Sequence, residues 1–173
     1  MCHFATLLYH LTDIEIEIAF IMQELIDTWE INNRINLYLL DAIDENFLSG
    51  LSASKGRTVK EQFAHIHNVR LMWLKAAMPE LLDGQIKIEK EMKLTKKMLS
   101  TELLKSSAAI SKLLANGFKT GRIKGFKPHP CGFVGYLISH ESHHRGQIVL
   151  SLKQSGHHID QKTQYGLWEW GSR

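Results

Sequence analysis

Residues 136 to 156, YLISHESHHRGQIVLSLKQSG, constrain what this chain can fold into more than any other stretch. The spacing predicts one helix. At ~100° per residue, Phe133, Leu137, His140, His144, Ile148 and Ser151 fall in a stripe ~80° wide. Two imidazoles therefore lie one turn apart on a face that is otherwise apolar. A buried ring without a partner is costly, whereas a His pair at i and i+4 can hold one metal ion from a single helix. His143 projects ~80° from the centre of that stripe and stands apart.

Composition limits what such a helix can serve. The 173 residues and 44% hydrophobic content suit one domain with a full core. A formal net charge of +3, dispersed along the chain, argues against a nucleic-acid partner. Two cysteines, Cys2 and Cys131, are too few for a disulfide framework and point to a reducing, cytoplasmic setting. Cys131, near the start of the histidine helix, is either an activated nucleophile or a small buried cap, the commoner case. No apolar run reaches the ~20 residues that span a bilayer, so no membrane partner is expected. The first twenty residues carry Asp13, Glu15 and Glu17 and lack a basic lead, unlike a secretory or transit segment.

Ile14, Ile16 and Ile18 alternate with Glu15 and Glu17, a strand-like period. Residues 1–21 are accordingly read as an N-terminal extension outside the native protein, with the domain running from 22 to 173. Ile31, Ile35, Tyr38, Leu39 and Ala42 give an amphipathic helix from Leu25 to about Phe47. Thr58 with Glu61 forms a capping box that opens a second helix, ended by Pro79. Its inward face, taken from Val59, Phe63, Ile66, Val69, Met72, Trp73 and Ala76, leaves His65 ~60° from the centre and His67 ~140° away, in water. Residues 79–95 read as a solvated connection. A third helix runs from Thr95 to about Ala115, where Asn116 and Gly117 end it. Lys119, Arg122, Lys124 and Lys127 then sit in a turn-rich basic loop, and the tail's Tyr165, Trp168 and Trp170 pack on the core or on a partner.

Four helices with one apolar face each predict an all-α protein, an antiparallel four-helix bundle with a long connection between its second and third helices. If His65 meets His140 and His144, three neutral nitrogens would leave open coordination positions, the layout of a catalytic site. Imidazole ligands suit zinc, nickel, copper or iron(II).

The segments EQFAHIHNVRLMWL around His65 and HESHHRGQI from His140 to Ile148 resemble the two signature segments of the DinB (damage-inducible, YfiT-like) superfamily of metal-binding four-helix bundles. The similarity extends from about Met22 to the C-terminus. It implies one divalent ion, zinc or nickel, on His65, His140 and His144. His144 is preferred to His143 because it directly precedes Arg145, Gly146 and Gln147. His143, Arg145 and Gln147 become candidates for supporting the ligands or touching substrate, Arg145 as an ion-pairing or structural residue, and Gly146 would allow a neighbouring helix to approach closely. The resemblance further implies a homodimer and a small-molecule substrate, in some relatives a low-molecular-weight thiol. The expected function is a metal-dependent thiol S-transferase or hydrolase. The alternative is a metal-binding stress or scaffold protein without turnover. In the first case the basic loop would lie at the mouth of the bundle and attract an anionic thiol.

Overall fold

A computed structural model describes residues 2–173, with side chains from Ile14 onward. Its helices are α1 (Cys2–Ala42), α2 (Val59–Ala77), α3 (Lys96–Thr120), α4 (Pro130–Gln154) and a short α5 (Gln161–Gly166). Among the described residues there is no strand, only an isolated bridge between Ile123 and Phe126 in the basic loop. α1 and α2 each pack against both α3 and α4.

The strand-like reading of Ile14 to Ile18 does not hold, because these residues continue α1. Extending an existing helix adds a hydrogen bond per residue without a new nucleus, so a short alternation does not redirect it. Ile14, Ile16, Ile18, Phe20 and Ile21 all remain exposed. α1 stops at Ala42, short of Phe47, and Asp44 then caps a single 3₁₀ turn, its side chain accepting from Asn46 N–H at 2.8 Å.

α2 begins with the expected capping box: Thr58 accepts from Glu61 N–H, and Glu61 accepts from Thr58 N–H at 2.7 Å. Its buried face is rotated by roughly a quarter-turn from the apolar pattern. Val59, Phe63, Ile66, Arg70 and Leu74 are fully enclosed, while Met72 and Ala76 face solvent. His67 is buried as well, contrary to the expectation of a wet position. Its Nδ1 lies 3.0 Å from the Glu102 carbonyl and its Nε2 2.9 Å from the Ile86 carbonyl. The 78–95 connection is what covers it. Asn68 clamps that segment by donating to Ile88 O at 2.8 Å and accepting from Ile88 N–H at 3.0 Å, and Ile88 enters the core. α3 runs through Asn116 and Gly117 to a left-handed cap at Gly121, whose N–H donates to Gly117 O, and Ile123 packs against Gly117 where a Cβ would not fit.

The core divides into two apolar halves. One joins Leu39 and Leu40 of α1, Phe63 and Ile66 of α2, Leu99 and Leu103 of α3, and Ile148 and Leu152 of α4. The other joins Trp29, Leu74, Leu114 and Leu137 with their neighbours. Following residue numbers from one half to the other, α1 and α4 point one way while α2 and α3 point the other. The 78–95 connection is long because it must carry the chain back along the core. Between the halves lies a buried polar layer: Asn32, Asn33, Asn36, Arg70, Ser106, Glu141 and Arg145.

Candidate metal centre

Gln62 and His65 come from the first turns of α2, and His140 and His144 from the middle of α4. His65, His140 and His144 each offer a nitrogen, all within 4.8 Å of one another, so the three could hold a metal ion. The donor set is tested by two of its distances. His140 Nε2 and His144 Nε2 are 3.2 Å apart. Ligand nitrogens around a tetrahedral zinc, with bonds of about 2.0–2.1 Å, sit about 3.3 Å apart, so the pair fits such an ion with almost no movement. His144 Nδ1 meets Gln62 Oε1 at 2.7 Å. A carbonyl oxygen accepts, so Nδ1 carries the hydrogen and Nε2 keeps its lone pair for an ion. His140 Nδ1 is buried with no partner among the described residues.

The rings are electrostatically suited to a cation's lone-pair needs. Burial, then the Arg57 charge and His140, pulls His65 down to about 4. Burial, then its neighbours His140 and His65, pulls His144 down to about 3. His140 is also lowered, chiefly by burial, against the opposing pull of Glu141. All three are neutral at physiological pH, as ligation requires. The cation whose charge reaches all three rings is Arg57, from the loop before α2, rather than any residue of the basic loop at 119–127.

His65 also lines an open cavity of about 360 Å³ with Arg57, Lys60, Lys90, Met92 and Leu94. Two carboxylates share it, but both are engaged. Glu61 is held by Thr58 at 2.7 and 2.8 Å, and Glu89 by Lys87 at 2.8 Å. Arg57, Lys60 and Lys90 outnumber these two carboxylates, so the cavity beside the triad is net positive.

The remaining candidates separate. His143 is exposed, its ring centroid 5.2 Å from that of His144. Gln147 is half-buried, and its side chain makes no hydrogen bond among the described residues; Gln62 holds the ligand ring instead. Arg145 belongs to the polar layer, donating to Asn32 Oδ1 at 2.8 Å, Asn36 Oδ1 at 2.6 Å and Ser142 Oγ at 2.6 Å. Gly146 brings no helix close, since a Cβ there would meet nothing within 4 Å. Cys131 is exposed in the first turn of α4 rather than a buried cap.

Directly after His140, Glu141 anchors the polar layer. Arg70 grips it with two bonds, Nε to Oε1 at 2.7 Å and Nη2 to Oε2 at 2.9 Å, and Asn32 and Asn36 donate to Oε2 at 2.7 and 2.6 Å. Arg70 reaches α3 through Leu103 O and α1 through Asn33, and its guanidinium lies 4.8 Å over the Trp29 ring. The apolar pattern of the sequence passes over Arg70, Glu141 and the asparagines. A signal was present: three Asn within five residues of a helix otherwise facing the core are poor helix formers unless buried bonds hold them.

A helical fold that brings three neutral histidines together offers a candidate metal centre. The DinB family model matches residues 18–170, and the chain belongs to the DinB family. Comparison with curated proteins finds no match. No described helix is long and apolar enough to cross a membrane.

Proposed function

We propose that this protein is a metal-dependent enzyme that acts on a small anionic substrate, using one divalent ion, zinc or nickel, held by His65, His140 and His144 on a four-helix-bundle scaffold. The observation that carries this reading is the cavity shared by His65, Arg57, Lys60 and Lys90. A cation on three uncharged ligands keeps its full positive charge and lowers the pKa of a water or thiol beside it. The chain's own residues do the rest. Gln62 orients the His144 ring, Arg57 and the two lysines attract and position a carboxylate or phosphate, and the short strap from 86 to 94 closes one side of the cavity. A low-molecular-weight thiol with carboxylates suits this environment, which makes thiol S-transfer the first reaction to test and hydrolysis the second.

A purely structural metal is the weaker reading, because Arg70, Glu141 and the asparagines already tie α1, α2, α3 and α4 together without one. We further propose a cytoplasmic homodimer. Counted as part of the native protein rather than as an extension, Ile14, Ile18 and Ile21 fall on one exposed face of α1, a surface that a second copy would cover. Light scattering giving a single-chain mass at micromolar concentration would remove that part of the proposal.

The decisive assay supplies metal-loaded protein with candidate thiols and an electrophilic acceptor, then with ester and amide substrates. Wild type is compared with His144→Ala and with Arg57→Glu. Turnover should require His144, and Arg57→Glu should raise KM for anionic substrates more than it lowers kcat. If no substrate reacts faster than with metal-free protein, the enzymatic reading gives way to the non-catalytic one.

A further inference from the structure

α4 has a second functional-looking face. At about 100° per residue, Ser142, Arg145, Gly146 and Val149 project roughly opposite to His140 and His144. Together with Leu167, Trp168 and Trp170 of the C-terminal tail they line a cavity of about 430 Å³. The tail is fixed as its outer wall. Gly166 lies against the Tyr38 hydroxyl, where a Cβ would not fit, and Arg173 stacks over the Tyr38 ring at 3.7 Å while donating to Gly166 O at 3.1 Å.

The base of this cavity carries a charge without a counter-ion. Arg145 is 8% exposed. Its three bonds to Asn32, Asn36 and Ser142 leave two of the five guanidinium N–H groups with no partner among the described residues. No carboxylate pairs with it directly, because Glu141 gives one oxygen to Arg70 and the other to Arg70, Asn32 and Asn36. The polar layer thus holds two guanidinium charges against one carboxylate. Burial lowers Arg145 to about 10, so it is still charged at neutral pH. Buried charges are normally paired, and here the residue that carries the unpaired charge lines a cavity. The opposite wall is apolar and aromatic, with Trp168 81% exposed.

We propose that this cavity binds a small apolar monocarboxylate, its carboxylate on Arg145 and Ser142 and its hydrocarbon body between Trp168, Trp170 and Val149. One guanidinium and one hydroxyl match a single negative charge, whereas the rest of the wall, Val149, Leu167, Trp168, Trp170 and a Gln164 whose amide already donates to Ile159 O, adds no second charge for a phosphate. The site is separate from the three-histidine centre and does not rest on the function proposed for it.

The test uses the full chain, 3-phenylpropanoate and its neutral amide, followed by calorimetry and by the indole N–H signals of Trp168 and Trp170. The acid should bind once per chain, at least about tenfold tighter than the amide. Gly146→Phe, which fills the cavity from a position with open space, should abolish binding while leaving metal uptake intact. Trp168→Ala, at an exposed site, should weaken it about three- to tenfold. Arg145→Gln should bring acid and amide to equal affinity; if that variant does not fold, the acid-to-amide ratio in wild type and the Gly146→Phe result still decide. No binding of the acid, equal affinity for both compounds in wild type, or undiminished binding in Gly146→Phe overturns the proposal. A dimer that Trp168→Ala dissociates, combined with no uptake of the acid, overturns it too and assigns the face to self-association.

Discussion

Replacing Glu141 by Gln should cost this protein a large part of its stability, though the change removes no volume. The carboxylate accepts four hydrogen bonds of 2.6 to 2.9 Å, two from Arg70 and one each from Asn32 and Asn36. Arg70 and Glu141 are 0% and 1% exposed, so no solvent screens the loss. A glutamine presents an NH₂ where an oxygen stood, and in either orientation it faces a donor from Arg70. It also leaves two buried guanidiniums with no carboxylate at all. Breaking a buried pair from one side costs about 3–5 kcal/mol. At roughly 2–4 °C per kcal/mol for a chain of this size, the melting temperature should fall by roughly 6–20 °C. The measurement is thermal and urea unfolding of metal-free protein by circular dichroism. The control is Asp27→Asn, which breaks the exposed Arg34–Asp27 pair at 3.3 Å and should cost less than about 1 kcal/mol. If Glu141→Gln melts within about 2 °C of wild type, the polar layer is not what joins the four helices.

Gln62→Leu should weaken metal affinity by about 10- to 100-fold without changing stoichiometry, measured by competition with a chromophoric chelator, because it frees the His144 ring to rotate. Gly166→Ala should destabilise by about 1–3 kcal/mol and loosen the tail, seen as faster proteolysis after Lys162, since its Cβ would run into Tyr38 and Arg173. The Glu61 carboxyl is held below its ordinary value of 4.5, first by the Thr58 backbone and then by its hydroxyl. Its folded pKa is depressed, so its contribution is fully present above about pH 4.5 and is lost as pH falls through the lower folded value. Glu61→Gln should flatten that part of an acid-unfolding curve.

The fold class could be read because its evidence is local. Capping at Thr58, the stop at Pro79 and the i, i+4 histidines depend on neighbours in the sequence. His140 and His144 share a face for the same reason, and His65 required only one long-range meeting. What stayed hidden was long-range and polar. The buried face of α2 is set by Arg70 and His67, which an apolar wheel counts as outside, so the apolar pattern points about a quarter-turn away from it. The 78–95 segment looks solvated because lysines and glutamates outnumber Ile88, the residue that anchors it. Arg57 lies in a loop, where no periodicity could tie it to the histidines. Ile14 to Ile18 mimic a strand only when read apart from the helix that they extend.

The most direct test of the metal centre is the metal content of tag-free protein, equilibrated with zinc or nickel, desalted and analysed by mass spectrometry. Wild type and His143→Ala should each retain about one ion per chain, whereas His65→Ala, His140→Ala and His144→Ala should each retain close to none. Equal losses in His143→Ala and His144→Ala, or a full complement of metal in any of the three ligand variants, would contradict the assignment.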